Sequence, residues 1–111
     1  MNENKSCIIA VDFDGTLCSN KWPEIGRPNW KLINRLKAEQ EKGAKIILWT
    51  CRTDRLLREA VGWCNINCDL FFDAINENLP EIIEKFGGDC RKIFADVYID
   101  NKARQLSFST I

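Results

Sequence analysis

Short unbroken apolar runs alternate along this chain with stretches whose apolar residues recur every three or four positions. The first pattern predicts strands buried on both faces, and the second predicts amphipathic helices. Residues 7–12, inside CIIAVDFDGTLC, form the first predicted strand. Pro28 and Asn29 then open a helix carrying Leu32, Ile33 and Leu36, which Gly43 closes as a C-terminal cap. AKIILWT, at 44–50, is a second strand. Thr53 or Asp54 caps a second helix whose inward face is Leu56, Leu57, Ala60, Val61 and Cys64. LFFDAI, at 70–75, predicts a third strand. Pro80 starts a short helix bearing Ile82, Ile83 and Phe86, and Gly87 with Gly88 ends it. IFADVYID, at 93–100, predicts the fourth strand, and the tail from Lys102 to Ile111 reads as a helical turn or an edge strand.

This alternation predicts one α/β domain over residues 1–111, with a mainly parallel sheet and helices on both faces. Such sheets place ligands at the carboxyl ends of strands, where the strand order reverses. Three of the four runs end in residues suited to that place: Asp12-Phe13-Asp14, Thr50-Cys51-Arg52 and Asp100-Asn101. They are distant in sequence, and the topology gathers them at one edge.

Composition narrows the classes of function. Of 111 residues, 45% are hydrophobic and 29% charged, which is ordinary for a globular domain near the lower end of the size that buries a core unaided. Sixteen basic and sixteen acidic residues cancel, so there is no nucleic-acid signature of the usual basic kind. No apolar run is long enough for a membrane span, and the N-terminal segment is too short and too weakly basic for a secretory signal. The expected compartment is therefore the cytoplasm, and the six cysteines are expected to be reduced and mostly buried. Cys64 and Cys68 are spaced C-x3-C, but without histidine or a second close pair a zinc site is not expected. The lack of histidine also removes the triad hydrolases.

Asp12 and Asp14 are two apart, so in extended chain both side chains share one side. Their repulsion is relieved by a hard divalent cation, and Mg²⁺ favours few carboxylates, several waters and a substrate phosphate. Asp100 offers a third carboxylate from another strand, and Gly15 lets the backbone turn and present bare N–H groups to an anion. Thr50 brings a hydroxyl, the following helix brings its N-terminal N–H groups, and Arg52 brings a guanidinium suited to phosphate oxygens. Together these describe a phosphoryl site, with Cys51 beside it.

The hydrophobic strand followed by DFDGTL resembles the first signature motif of the haloacid-dehalogenase-like superfamily. Thr50 after IILW resembles the second motif, and VYIDN the metal-binding fourth. The resemblance spans nearly the whole chain and implies a Rossmann-like three-layer α/β/α sandwich. It implies Asp12 as the nucleophile that forms an aspartyl-phosphate and Asp14 as general acid, then general base. Thr50 would hold the phosphoryl group, and Mg²⁺ would sit on Asp12, Asp100 and the Asp14 backbone carbonyl, with Asn101 alongside. The implied activity is Mg²⁺-dependent hydrolysis of a phosphomonoester.

The chain departs from the family pattern twice. Asn101 stands where a second acid is common, and NENLPE at 76–81 lacks the third-motif lysine. Lys92 precedes Asp100 by eight residues, about 26 Å of extended chain, which puts it at the wrong end of the strand. Lys85 is also misplaced, Lys102 is better located, and Asn78 is a partial substitute. The segments where relatives insert cap domains are short here, so a capless molecule is expected, with a small flap around Trp22. Its open site suits a bulky phosphoester or a lid borrowed from a second subunit in a homo-oligomer.

Blander roles stand beside these. Asp100 has a lesser reading as a loop acid and Thr50 as a structural hydroxyl, Arg52 reads equally as an ion-pair partner, and Trp22 and Trp30 read more readily as packing. Asp96 lies about 13 Å along the strand from Asp100, too far to share an ion, and Asp73 reads as an ion-pair or strand-end residue. The C-x5-R loop of cysteine phosphatases would need Arg at position 57, which is Leu57, so Cys51 is a redox-sensitive bystander. Competing functions are a phosphotransferase of the same chemistry, a degenerate phosphate-binding relative, and a receiver-like phosphoacceptor module built on Asp73.

Overall fold

Ile8–Val11 (β1) is buried along its whole length because strands lie on both sides of it. The computed structural model describes residues 7–88 and 92–100. After β1 the chain forms Cys18–Lys21 (β2), Glu24–Pro28 (β3), Trp30–Glu41 (α1), Lys45–Leu48 (β4), Asp54–Cys68 (α2), Ala74–Ile75 (β5), Pro80–Phe86 (α3) and Val97–Ile99 (β6). The main sheet has the order β5-β4-β1-β6, and every pairing in it is parallel. After β1 the chain steps outward to β4 and β5, then returns to the other side of β1 as β6. The order therefore reverses between β1 and β6, and the carboxyl ends of those strands carry Asp12 and Asp100.

Alternate residues of the sheet build two separate cores. Ile9, Val11, Ile46 and Leu48 face one side, packed with Ile33 and Leu36 of α1 and Ala60, Cys64 and Cys68 of α2. Ile8, Ala10 and Ile47 face the other, with Ala74, Leu79 and Ile93 and with Ile82 of α3 at the margin. Each fully buried aliphatic side chain contributes about 1.5–3 kcal/mol. The helices thus lie on both sheet faces. The faces of α1 and α2 read from spacing are the ones buried, except that Leu56 stays outside the cluster and Cys68 joins it, whereas on α3 only Ile82 packs against a core and Phe86 is exposed. Asn29 caps α1 by accepting the Leu32 N–H at 3.3 Å. Among the described residues no helix is long and apolar enough to cross a membrane.

The outer strands are shorter than their apolar runs predict. β5 covers 74–75 rather than 70–75, and β6 covers 97–99 rather than 93–100. The same device replaces ladder pairing at the start of each. The Asp73 N–H donates to the Ile46 carbonyl at 2.8 Å, while its carboxylate accepts the Ile46 N–H at 2.8 Å. Asp96 clamps Ile8 in the same two ways, at 2.7 and 2.8 Å. Upstream of Asp96, Asn78 accepts the Phe94 N–H at 2.7 Å and the Tyr98 hydroxyl donates to the Ile93 carbonyl. Residues 93–95 are therefore held by side chains rather than by a neighbouring strand.

Between β1 and α1, where only a flap was expected, β2 and β3 form an antiparallel hairpin with its tip at Trp22 and Pro23. Gly26 allows the two strands to approach, since a Cβ there would fall 2.2 Å from the Ser19 carbonyl oxygen. Asn29 closes the hairpin at its neck: its N–H donates to the Leu17 carbonyl at 2.8 Å and its amide to the Thr16 carbonyl at 3.0 Å. No further domain is present among the described residues, and the tail from Lys102 lies outside them.

Candidate active site

Asp12, Trp49, Thr50, Cys51 and Asp100 line one cavity of about 230 Å³ at the carboxyl edge of the sheet. Each is brought there by the end of a strand. The Asp12 N–H continues the β1–β6 pairing by donating to the Ile99 carbonyl at 2.9 Å. The Trp49 N–H does the same for β4 and β1, donating to Val11 at 2.9 Å. Beyond those bonds the backbones turn away from the sheet and their side chains are free to face solvent. Asp12 accepts the Phe13 N–H on Oδ1 at 2.7 Å, which leaves Oδ2 for another partner. Thr50 is fixed on both sides: its N–H donates to Asn76 Oδ1 at 2.8 Å, and its hydroxyl oxygen accepts the Arg52 N–H at 3.2 Å. The indole of Trp49 meets the Tyr98 ring edge-on at 5.5 Å and forms one wall.

Asp14 does not join this carboxylate pair. Its side chain turns to Arg52, whose Nε and Nη2 donate to its two oxygens at 2.8 and 2.7 Å. Arg52 is wholly buried, with Nη2 also donating to the Glu24 carbonyl of β3 at 3.1 Å. Its guanidinium carbon lies 5.0 Å from the Phe13 ring centre and 5.1 Å from that of Trp22. The Asp14 carboxylate holds the Arg52 pKa up.

Burial pushes the Asp12 carboxyl above its ordinary pKa; the Phe13 N–H works against this, and the negative charges of Asp100 and Asp14 add to it. The mutual repulsion of these facing carboxylates fits a cation between them. Among the described residues no three acidic or cysteine side chains converge to hold a metal by themselves. Mg²⁺ needs fewer, since one or two carboxylates with waters and phosphate oxygens complete its shell.

Among solved structures, the chain is similar to a conserved protein from Bacteroides thetaiotaomicron. The two share 37% identity with a TM-score of 0.79, over 90% of this chain and 79% of that one. This chain belongs to that protein's family. No protein-family model and no curated protein matches it.

In this family member the structure brings together Asp12, Thr50, Cys51 and Asp100 as the strand ends predicted. It places three other expected residues elsewhere. Arg52 does not offer its fork to the cavity, because Asp14 and Glu24 occupy it. Gly15, at φ 80°, makes the turn after β1 but borders a separate groove with Thr16, Ser19 and Arg27. Asn78 cannot stand in for a catalytic lysine: it is 2% exposed and lines an apolar pocket with Lys92, Phe86 and Tyr98. Lys92 is at that wrong end too, while Lys85 lies against the Phe86 ring on α3. Asn101 and Lys102 lie outside the described residues. The sequence reading missed Asn76 and Trp49. Asn76 had one available signal, an asparagine just past a strand, where the left-handed conformation (here φ 55°) is tolerated.

Proposed function

We propose that this chain is a small haloacid-dehalogenase-like phosphohydrolase acting on a phosphomonoester through an aspartyl-phosphate on Asp12. One observation carries the reading: Asp12, Thr50 and Asp100, from three strand ends far apart in sequence, line the same small cavity. Asp12 Oδ2 attacks phosphorus as the bond to the leaving oxygen breaks, and the family resemblance gives protonation of that oxygen to Asp14, which requires its protonated carboxyl to turn out of the Arg52 fork that holds both its oxygens here. A water then attacks the same phosphorus, giving its proton to Asp14, and phosphate leaves with Asp12 restored. Thr50, fixed by Asn76, holds a phosphoryl oxygen through its hydroxyl. Mg²⁺ would be held by Asp12, Asp100 and the Asp14 backbone carbonyl, and when bound it supplies positive charge that offsets repulsion between carboxylate and phosphate.

The wide mouth of the cavity and the lack of a covering domain among the described residues suit a phosphoester larger than the cavity itself. The receiver-like alternative loses support because the Asp73 carboxylate is engaged by Ile46 N–H at the start of β5, away from the cavity. The test is a phosphomonoester panel assayed with Mg²⁺. Wild type is expected to release phosphate, while Asp12→Asn, Asp14→Asn and EDTA each abolish steady-state release. Turnover that survives Asp12→Asn, or a stable phosphoryl group on Asp73, would overturn the reading.

A further inference from the structure

Among the described residues, Trp49 is the one large apolar side chain that lines the Asp12 cavity, and no step of the proposed hydrolysis uses it. Exposure alone says little, since Trp22, Trp30, Phe71, Phe86 and Phe94 are each more exposed than its 40%. Its place says more. The Trp49 N–H is bonded to the Val11 carbonyl at 2.9 Å, and the next N–H, that of Thr50, is bonded to Asn76 Oδ1 at 2.8 Å. The backbone carrying the indole is thus fixed on both sides, beside the residues assigned to the phosphoryl group. The ring is fixed as well. It meets Tyr98 edge-on at 5.5 Å, and the Tyr98 hydroxyl donates to the Ile93 carbonyl and accepts the Ala95 N–H at 3.1 Å. A held aromatic surface loses little freedom when a ligand packs on it. The other lining groups are two carboxylates, a hydroxyl and a thiol. The carboxylates and the hydroxyl serve the cation and the phosphoryl oxygens, which leaves Trp49 to meet the organic part of the ester.

We infer that Trp49 determines specificity by packing on the leaving group of the substrate, and that this group carries a planar aromatic ring close to the phosphoryl oxygen. The inference rests on the phosphohydrolase reading and narrows it from any phosphomonoester to an aromatic one. A flat π face stacks on an indole or meets its edge, and a saturated ring of the same size does neither. The cavity, at about 230 Å³, holds little beyond the phosphoryl group and its ion, so the ring lies along the wall that Trp49 forms toward the open mouth. A nucleobase and a simple aryl group offer the same face, and the test separates them.

Benzyl phosphate and cyclohexylmethyl phosphate both release a primary alcohol of similar size and differ in whether the ring is aromatic. Adenosine 5′-monophosphate and ribose 5-phosphate make the matching pair for a nucleobase. Within each pair the ratio of kcat/KM values is measured in Mg²⁺ for wild type, Trp49→Leu and Trp49→Phe. Wild type is expected to prefer the aromatic member of at least one pair by about tenfold, the worth of stacking one ring on an aromatic side chain. Trp49→Leu, apolar but unable to stack, should bring that ratio below about twofold, and Trp49→Phe should keep most of it. A Trp49-dependent preference in the nucleotide pair assigns the ring to a nucleobase, and one confined to the benzyl pair assigns it to a smaller aryl group. Ratios near one for both pairs in wild type, or ratios that survive Trp49→Leu, overturn the inference. If Trp49→Leu does not fold, Trp49→Ile takes its place. Benzylphosphonate and cyclohexylmethylphosphonate, which are not hydrolysed, give the same comparison as dissociation constants by calorimetry. Turnover without an aromatic preference removes the inference alone. A Trp49-dependent preference in binding without turnover of any ester removes the hydrolase reading alone, and neither turnover nor preference removes both.

Discussion

Thr50 owes its place to Asn76, whose side chain takes the Thr50 N–H while its backbone N–H donates to Leu48 at 2.7 Å. Asn76→Gly keeps the left-handed conformation available and deletes only the amide. A hydrogen bond of this kind is worth about 1 kcal/mol, so a loss of roughly fivefold in phosphate release is expected if it bears on the transition state. A melting temperature that falls while turnover stays constant would show Asn76 to be structural. The residues that were legible share one property. Asp12, Thr50 and Asp100 end apolar runs, and in a parallel sheet the end of a run fixes a residue's place. Arg52 sits just as near a run's end, but where its long side chain goes depends on Asp14, Phe13, Trp22 and Glu24 together. Nothing local encodes that meeting, nor the pairing of Asn76 with a backbone group 26 positions away.

Apolar runs were reliable about which elements exist and unreliable about where pairing stops. A run reports burial, and residues 70–73 and 93–96 are apolar enough to be strands, yet Asp73 and Asp96 take over the ladder's bonds at those points. Each aspartate satisfies both polar groups of one neighbouring residue. Asp73→Ala and Asp96→Ala are each expected to cost about 1 kcal/mol by leaving an N–H unpartnered. The costs should add, because β5 and β6 are opposite edges of the sheet. Urea unfolding of both single variants and the double variant checks this. The asparagine replacements, which keep an acceptor oxygen, should lie near wild type. The hairpin was the largest omission at this scale. Its strands carry too few apolar residues for alternation to show, and pairing is set instead by Gly26 and the turn at Trp22 and Pro23.

For the molecule as a whole, the parallel sheet and the two-sided core followed from the alternation of elements, because a parallel sheet must be covered on both faces, whereas the strand order β5-β4-β1-β6 did not. The buried thiols make a property of the whole fold. Burial raises the pKa of Cys7, Cys18 and Cys68 and pushes Cys64 up to about 12. A thiol that ionises near pH 8.5 when unfolded and much higher when folded binds its proton more tightly in the folded state, so stability is full below about 8.5 and falls as pH rises. Cys64 alone should contribute a slope of roughly 1.4 kcal/mol per pH unit across that window. Urea unfolding at several alkaline pH values should show it, and Cys64→Ala should be shallower in slope whatever its starting stability. The clasp that Asn29 makes with Thr16 and Leu17 has a wider consequence. It ties off residues 18–28 at their base, and within them Cys18 and Ile25 pack on the core and Glu24 meets Arg52, while the tip projects beyond. Since lengthening an already closed loop adds little entropy cost, the tip is where this architecture can grow, acquiring a larger cover while the layers beneath keep their shape.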